Sequence, residues 1–218
     1  ALPICATVHV WGTRARAEDY RADEGSDLGG LHYARVDVSD AAAIAAASLP
    51  GGQPLDVLVL SQGIVEYGRA EFGDDGFRRV VEVNLSSVMS CCQRFHDALK
   101  ATRGAVIVVS SISAYRSAIG NPAYAASKAG AISLTRTLGA AWAKDGIRVN
   151  GIAPGLVDTK LTKVTTAHPQ RLQATLARIP LARMGTPQDM AGVALFLASP
   201  LAAYVTGHTI PVDGGLSA

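Results

Sequence analysis

A tyrosine and a lysine, Tyr124 and Lys128, stand four residues apart in "YAASK", inside a stretch whose apolar spacing is helical. Side chains at that spacing lie one above the other on a helix face, so the Lys128 ammonium can sit near the Tyr124 hydroxyl. A free phenol, with a pKa of about 10, exchanges protons poorly at neutral pH. At roughly 5 Å and an effective dielectric of about 20, attraction to the ammonium stabilises the phenolate by about 3 kcal/mol, which brings the group toward its working range. A hydroxyl nearby, for which Ser111 is the candidate, would orient and polarise a substrate carbonyl. The same spacing is common on solvated helix surfaces, and by itself it does not separate a proton-transfer device from plain helix.

The elements around this pair decide where it would stand. Short apolar runs rich in β-branched residues recur as "ATVHV" (6–10), "LHYARVDV" (31–38), "LDVLVL" (55–60), "AVIVVS" (105–110), "IRVNGIA" (147–153) and "HTIPVDGG" (208–215), several of them in the form of strands buried on both faces. Helical patterns lie between them. One covers 75–100, after a possible Asp74 or Asp75 cap. Another covers 123–144 and stops near Gly146, the Ala-rich 41–47 makes a short one, and a further helix opens at Thr186, Pro187 and Asp189 in a capping box. Alternating strands and helices predict a single α/β domain over 1–218 with a mainly parallel sheet and right-handed crossovers. Ligands bind such sheets at the carboxyl ends of the strands. Those ends carry Asp37, Ser61-Gln62-Gly63, "SSIS" at 110–113 and "PGLVDT" at 154–159, and Tyr124 opens the helix that follows the strand ending at Ser110. Each of these is also a common turn sequence; their joint position at one edge favours a site.

Composition narrows the functions. Twenty basic against 18 acidic side chains give a net charge of +2 with no basic stripe, which argues against a nucleic-acid partner. No apolar stretch is long enough to span a membrane, and no signal-peptide pattern opens the chain. Cys5, Cys91 and Cys92 form neither a disulfide framework nor a zinc site, so a reducing, cytoplasmic setting is expected and no metal. The scattered histidines (His9, His32, His96, His168, His208) form no ligand set.

With these residues in view, the chain resembles the short-chain dehydrogenase/reductase family from near residue 5 to its end. Ser111 precedes Tyr124 by 13 positions and "YAASK" matches Y-x-x-x-K; "EVNL" puts Asn84 at the family's asparagine; "DVSD" puts Asp37, with Val38 beside it, at the adenine position. "APGLVDT" matches P-G-x-x-x-T through Pro154, Gly155, Val157 and Thr159, and the tail from "PLARMGTPQDM" to "VDGG" is similar almost throughout. The resemblance implies a Rossmann-like doubly wound parallel sheet, NADP or NAD as cofactor, and hydride transfer to or from a small-molecule carbonyl or secondary alcohol. It implies Tyr124 as proton donor or acceptor, Ser111 on the substrate oxygen, Lys128 lowering the tyrosine pKa and bonding the nicotinamide ribose, Asn84 supporting a water chain, and Thr159 on the carboxamide.

Two departures carry expectations of their own. "LSQG" at 60–63 stands where the family has N-N-A-G, so Ser61 and Gln62 replace an asparagine and an alanine while Gly63 is kept. "CATVHVWGT" is similar to the family's second strand, so the first strand and the T-G-x-x-x-G-x-G loop, about 30 residues, are not in the sequence and an N-terminally truncated sheet is expected. Losing three hydrogen bonds to a pyrophosphate would cost roughly 5 kcal/mol. That makes a non-catalytic remnant acting through oligomerisation the alternative to the enzyme. Arg14, in "WGTR" where NAD-preferring relatives carry an acid, tilts the cofactor toward NADP; a loop-capping role for it is the competing reading. Residues 160–185, with Leu161, His168, Leu172 and Leu176, are similar to a variable substrate lid. A homo-oligomer, tetramer or dimer, is expected through the two long helices and the C-terminal segment.

Overall fold

The computed structural model describes residues 6–20, 26 and 28–218, so Cys5 and the opening "ALPIC" lie outside the described residues. Each expected apolar run holds one strand: β1 (His9–Gly12), β2 (His32–Arg35), β3 (Val57–Leu60), β4 (Ala105–Val109), β5 (Arg148–Pro154) and β6 (Thr209–Val212). They pair in parallel as two sheets, β1-β2 and β3-β4-β5-β6. Register places Val57 opposite Ala105, Ala105 opposite Arg148 and Gly151 opposite Thr209.

Burial on both faces holds for β4 and β5 but not for the other runs, because only these two are inner strands of the larger sheet. Along β4 the pleat alternates. Val106 and Val108 enter one core with Val88, Cys92, Phe95, Leu99, Ala131 and Leu138, while Ile107 enters a second core with Ile152, Leu197 and Ala202. Helices cover both faces, as in a doubly wound α/β domain. By contrast β1 is half-buried throughout, β2 is mostly exposed, and Val59 on β3 is 51% exposed.

The helices arise where the spacing predicts them. α1 (Ala41–Ala46) is capped by Asp40, whose carboxylate accepts from the Ala42 N–H at 2.8 Å. The expected 75–100 helix is α2 (Asp74–Val81), one π turn (Glu82–Ser86) and α3 (Ser87–Thr102) in sequence. Its N-cap is Gly73; Asp74 and Asp75 instead occupy the first turn, where the helix dipole favours acids. α4 (Pro122–Trp142) ends through a 3-10 turn into Gly146, whose φ of +80° suits glycine. The segment 160–185 contains α5 (Lys163–Thr166) and α6 (Pro169–Leu176). α7 (Pro187–Ala198) has the expected capping box between Thr186 and Asp189.

Cys91 and Cys92 are buried in the core and unbonded, and burial pushes their thiols up to about 11 and about 12. On α3, Cys92 lies in the core and Met89 is exposed. Among the described residues no helix is long and apolar enough to cross a membrane.

Candidate active site

Because the strands of the larger sheet run parallel, their carboxyl ends share one edge, and that edge collects the chemistry. Ser61 to Gly63 leave β3, Ser110 and Ser111 leave β4, and Pro154 closes β5 ahead of Thr159. Tyr124 is the third residue of α4, after the Pro122 that starts it. Two bonds hold α4 against β4. The Ser110 hydroxyl donates to the Lys128 carbonyl at 2.8 Å, and the Lys128 ammonium donates to the Val109 carbonyl at 2.8 Å. Ser111, itself buried, uses its hydroxyl oxygen to accept from the Ser113 N–H at 3.1 Å, which fixes the turn after β4.

Burial lowers the Lys128 pKa to about 8. The Tyr124 phenol moves the other way: burial raises it above the usual phenol range, a hydrogen bond with Ser111 opposes that rise, and the charges of Tyr67 and Glu71 add to it. The expectation that Lys128 lowers the phenol pKa toward its working range is therefore corrected. The Lys128 Nζ stands 5.8 Å from the Tyr124 ring centre and is turned to the Val109 carbonyl, where helix spacing alone places it beside the hydroxyl. In this arrangement Tyr124 is a neutral phenol, the form that can donate a proton.

Asn84 lies in the π turn between α2 and α3, fully buried. Its amide clamps the chain leaving β3: the carbonyl accepts from the Ile64 N–H at 2.8 Å, and Nδ2 donates to the Ile64 carbonyl at 3.0 Å and to the Ser127 hydroxyl at 3.2 Å. A π turn is a frequent device at functional positions, and here it aims an asparagine at α4. Gly63 sits above this clamp, where an added Cβ would stand 3.3 Å from the Lys128 Nζ and 3.5 Å from the Asn84 Oδ1.

The sequence reading misses Glu71. It is buried in the short 3-10 turn Ala70–Phe72, and its carboxylate accepts from the Tyr124 N–H at 2.9 Å. The only local signal is an acid between Ala70 and Phe72 just ahead of a helix, and nothing in that spacing reveals that a distant helix covers it.

The residues expected to hold cofactor divide into two groups. Following strands of the larger sheet, Gly155 passes so close to Asp213 that a Cβ would meet it at 2.7 Å, Val157 is buried and bridges to Gly185, and Thr159 is the exposed N-cap of a 3-10 turn. Gln62 donates from Nε2 to the Ser87 hydroxyl at 3.0 Å, so it braces β3 against α3, while Ser61 is exposed. The space over Gly63 and the protons that Lys128 has beyond the one given to Val109 fit the ribose end of a nicotinamide nucleotide. Farther off, Asp37 is exposed and its carboxylate accepts from the Ser39 N–H and hydroxyl at 2.9 and 2.7 Å, which lowers its pKa; Val38 packs on the core beside it. The Arg14 guanidinium bonds to the Asp19 carbonyl and lies 4.8 Å over the Tyr20 ring, and the Tyr20 hydroxyl fills the space where a Gly12 Cβ would stand. A cavity of about 550 Å³ beside β1 and β2, lined by Trp11, Tyr33 and Leu49 among others, has none of Ser111, Tyr124, Lys128 or Asn84 in its lining.

Comparison with known proteins bears on this arrangement. Residues 6–217 match the family model described as enoyl-(acyl carrier protein) reductase. The chain is 37% identical to 3-oxoacyl-[acyl-carrier-protein] reductase of Chlamydia pneumoniae, over 97% of this chain and 87% of the relative. It is 38% identical to galactitol 2-dehydrogenase (L-tagatose-forming) of Cereibacter sphaeroides, over 98% of this chain and 89% of the relative. Its fold superposes on a gluconate 5-dehydrogenase from Burkholderia cenocepacia in complex with NADP and tartrate with a TM-score of 0.86, at 29% identity, covering 97% of this chain and 86% of the other.

Proposed function

This chain belongs to the short-chain dehydrogenase/reductase family, whose members here are NAD(P)-dependent oxidoreductases, and from that premise we propose that Ser111, Tyr124, Lys128 and Asn84 carry the reaction. The reaction is hydride transfer between a nicotinamide cofactor, NADP or NAD, and a carbonyl or secondary alcohol carbon. When bound, the cofactor supplies the hydride or accepts it. The observation that carries the assignment of roles is that α4, bonded to the end of β4 through Ser110 and Lys128, brings Tyr124 and the buried Lys128, whose Nζ lies 5.8 Å from the Tyr124 ring centre, to the strand end that carries Ser111.

In the reducing direction the Ser111 hydroxyl holds the carbonyl oxygen and Tyr124 gives it a proton as negative charge develops there. In the oxidising direction Tyr124 accepts the proton. Lys128 holds the ribose with its remaining ammonium protons, and Asn84 keeps the Ile64 backbone and the floor of the site in place. Gly63, Pro154, Gly155, Val157 and Thr159 shape the nicotinamide end; Ser61, Gln62, Asp37 and Val38 serve the adenosine side, and Arg14 favours NADP through a 2′-phosphate. Residues 160–185 form the lid within one domain, tied to the site by the Tyr67 hydroxyl, which donates to the Leu161 carbonyl at 2.9 Å.

The test is oxidation of NADPH and NADH by the purified chain with a panel of ketones, sugar acids and oxoacyl thioesters. Turnover that disappears in Tyr124→Phe, with cofactor binding retained, supports the assignment; equal turnover in that variant rejects it. We also infer a cytoplasmic homo-oligomer, a dimer or tetramer. The exposed Leu195, Leu201 and Tyr204 on and behind α7 support it, and light scattering of the purified chain tests it.

A further inference from the structure

Glu71 is 0% exposed, yet it belongs to a one-turn segment separated by 50 residues from the start of α4. Burying a carboxylate costs several kcal/mol unless its oxygens are satisfied. Here both are. Oε2 accepts from the Tyr124 N–H at 2.9 Å, and Oε1 accepts from the Glu66 N–H at 3.1 Å and from Asn121 Nδ2 at 3.2 Å. Asn121 is the N-cap residue of α4 but makes no cap bond with its own side chain, and Pro122 has no N–H to give. The helix that carries Tyr124 is thus capped by a side chain from elsewhere, at the amide of Tyr124 itself.

We propose that Glu71 is a positioning residue for Tyr124: its carboxylate caps the catalytic helix from a separate segment and sets where the phenol stands against Ser111. The proposal rests on the reading of Tyr124 as the proton-transfer group. The segment that delivers Glu71 is itself anchored on every side. Asn84 clamps Ile64, Asn121 Nδ2 donates to the Glu66 carbonyl at 3.1 Å, Arg79 pairs with Glu66 at 2.9 Å, and Tyr67 reaches Leu161 in the lid. One node therefore joins the chain leaving β3, the first turn of α4 and the lid.

The carboxylate also acts through space. The groups facing the phenol are Glu71 and Tyr67 from this segment, Ser111 from the end of β4 and Lys128 from α4; Arg79 is paired with Glu66 and exposed. A negative charge beside a phenol favours its neutral form. That is the state Tyr124 needs to act as a donor, so position and charge serve the same end.

Glu71→Gln keeps the shape, removes the charge and turns an NH2 toward one of three donors. The experiment combines steady-state kinetics with ultraviolet titration of the tyrosinate, recorded without cofactor as the difference between each protein and its Tyr124→Phe counterpart. In Glu71→Gln we expect kcat to fall by about 100-fold with KM values within about 2-fold, and the Tyr124 transition to move to lower pH. Glu71→Asp, with the charge kept but the reach shortened, should retain the transition and lose about 10-fold in kcat. Wild-type kcat in Glu71→Gln, or an unmoved Tyr124 transition in a variant that has only lost thermal stability, overturns the proposal. Should Glu71→Gln not fold, Glu71→Asp decides alone, wild-type kcat there being the overturning result. Failure of the underlying reading looks different: Tyr124→Phe then leaves turnover intact, whereas the titration still reports whether Glu71 and Tyr124 are coupled.

Discussion

The two sheets of this molecule are built from similar runs of apolar residues and are held in different ways. In the β3–β6 sheet the inner strands are buried on both faces, and every candidate catalytic side chain hangs from the end of a packed element or is clamped by a backbone bond. In the β1-β2 sheet the strands are half-buried or exposed. Their carboxyl ends are fixed by polar contacts instead: the Tyr20 hydroxyl accepts from the Thr13 N–H at 3.0 Å, and the Tyr33 hydroxyl donates to the Arg14 carbonyl at 2.5 Å. Catalysis needs placement within a fraction of an ångström, and packed strands provide it. Choosing between nucleotides needs only a suitable charge at a loop, which a lightly held sheet can carry.

If that division is right, the largest effect on the reaction comes from the β3–β6 side. Tyr124→Phe should lower kcat by about 10²–10⁴-fold, the range for a lost general acid, with cofactor dissociation constants unchanged. A parallel loss in binding would mean that Tyr124 mainly shapes the cofactor site, and the contrast between the two sheets would lose its catalytic side. Stability should divide in the same way. Leu99→Ala empties a fully buried position between α3 and β4 and should cost about 2–5 kcal/mol in urea unfolding. Tyr33→Phe, which removes one hydrogen bond of the smaller sheet, should cost about 1 kcal/mol. Equal costs would show that one polar contact of the smaller sheet holds as much stability as a fully buried core position.

Lys128 offers a sharper test, because its burial leaves a signature in pH. Burial lowers its folded pKa to about 8 from the ordinary 10.5, so above the folded value the unfolded chain holds a proton that the folded one has released. Stability contributed by this group therefore rises with pH between about 8 and 10.5, by about 3 kcal/mol in all, and is flat below. Lys128→Met should be more stable at neutral pH and lack that rise. A wild-type curve that stays flat through the window, once the Tyr124 contribution is removed with Tyr124→Phe, would mean that the ammonium is solvated and the site looser than the packing implies.

How much of this is legible in the sequence follows the same division. Ser111, Tyr124 and Lys128 are readable because they match the family's motif in type and spacing, the four-residue spacing of Tyr124 and Lys128 alone being equally that of plain helix surface. The capping box at Thr186 and the cap at Asp40 are readable from local spacing. Asn84 is recognisable from "EVNL", but its π turn is not, since the apolar periodicity of 75–100 passes through it with no break. Glu71 and the direction in which the Lys128 ammonium turns depend on contacts between segments 50 and 19 residues apart, which no local pattern encodes. The phenol's rise in pKa escapes for that reason too: burial dominates it, and burial is a property of the assembled layers.

The smallest expected effect lies on the β1-β2 side and concerns Arg14. A guanidinium near a 2′-phosphate forms charge-assisted bonds that an NAD ribose does not offer. Here that guanidinium already bonds to the Asp19 carbonyl and stacks on Tyr20, so part of its capacity is in use and a phosphate must draw it out of its own loop. Arg14→Ala should therefore reduce the preference for NADPH over NADH, as a ratio of kcat/KM values, by about tenfold and no more, or about 1.4 kcal/mol. Neither kcat should change, since the residue stands apart from Tyr124. Installing an acid is not the simple converse: a side chain at Gly12 meets the Tyr20 hydroxyl, so Gly12→Asp should weaken both cofactors until Tyr20 is shortened as well. An unchanged ratio in Arg14→Ala would leave Arg14 as a loop cap alone, and nucleotide choice would then have to come from another residue at the ends of β1 and β2.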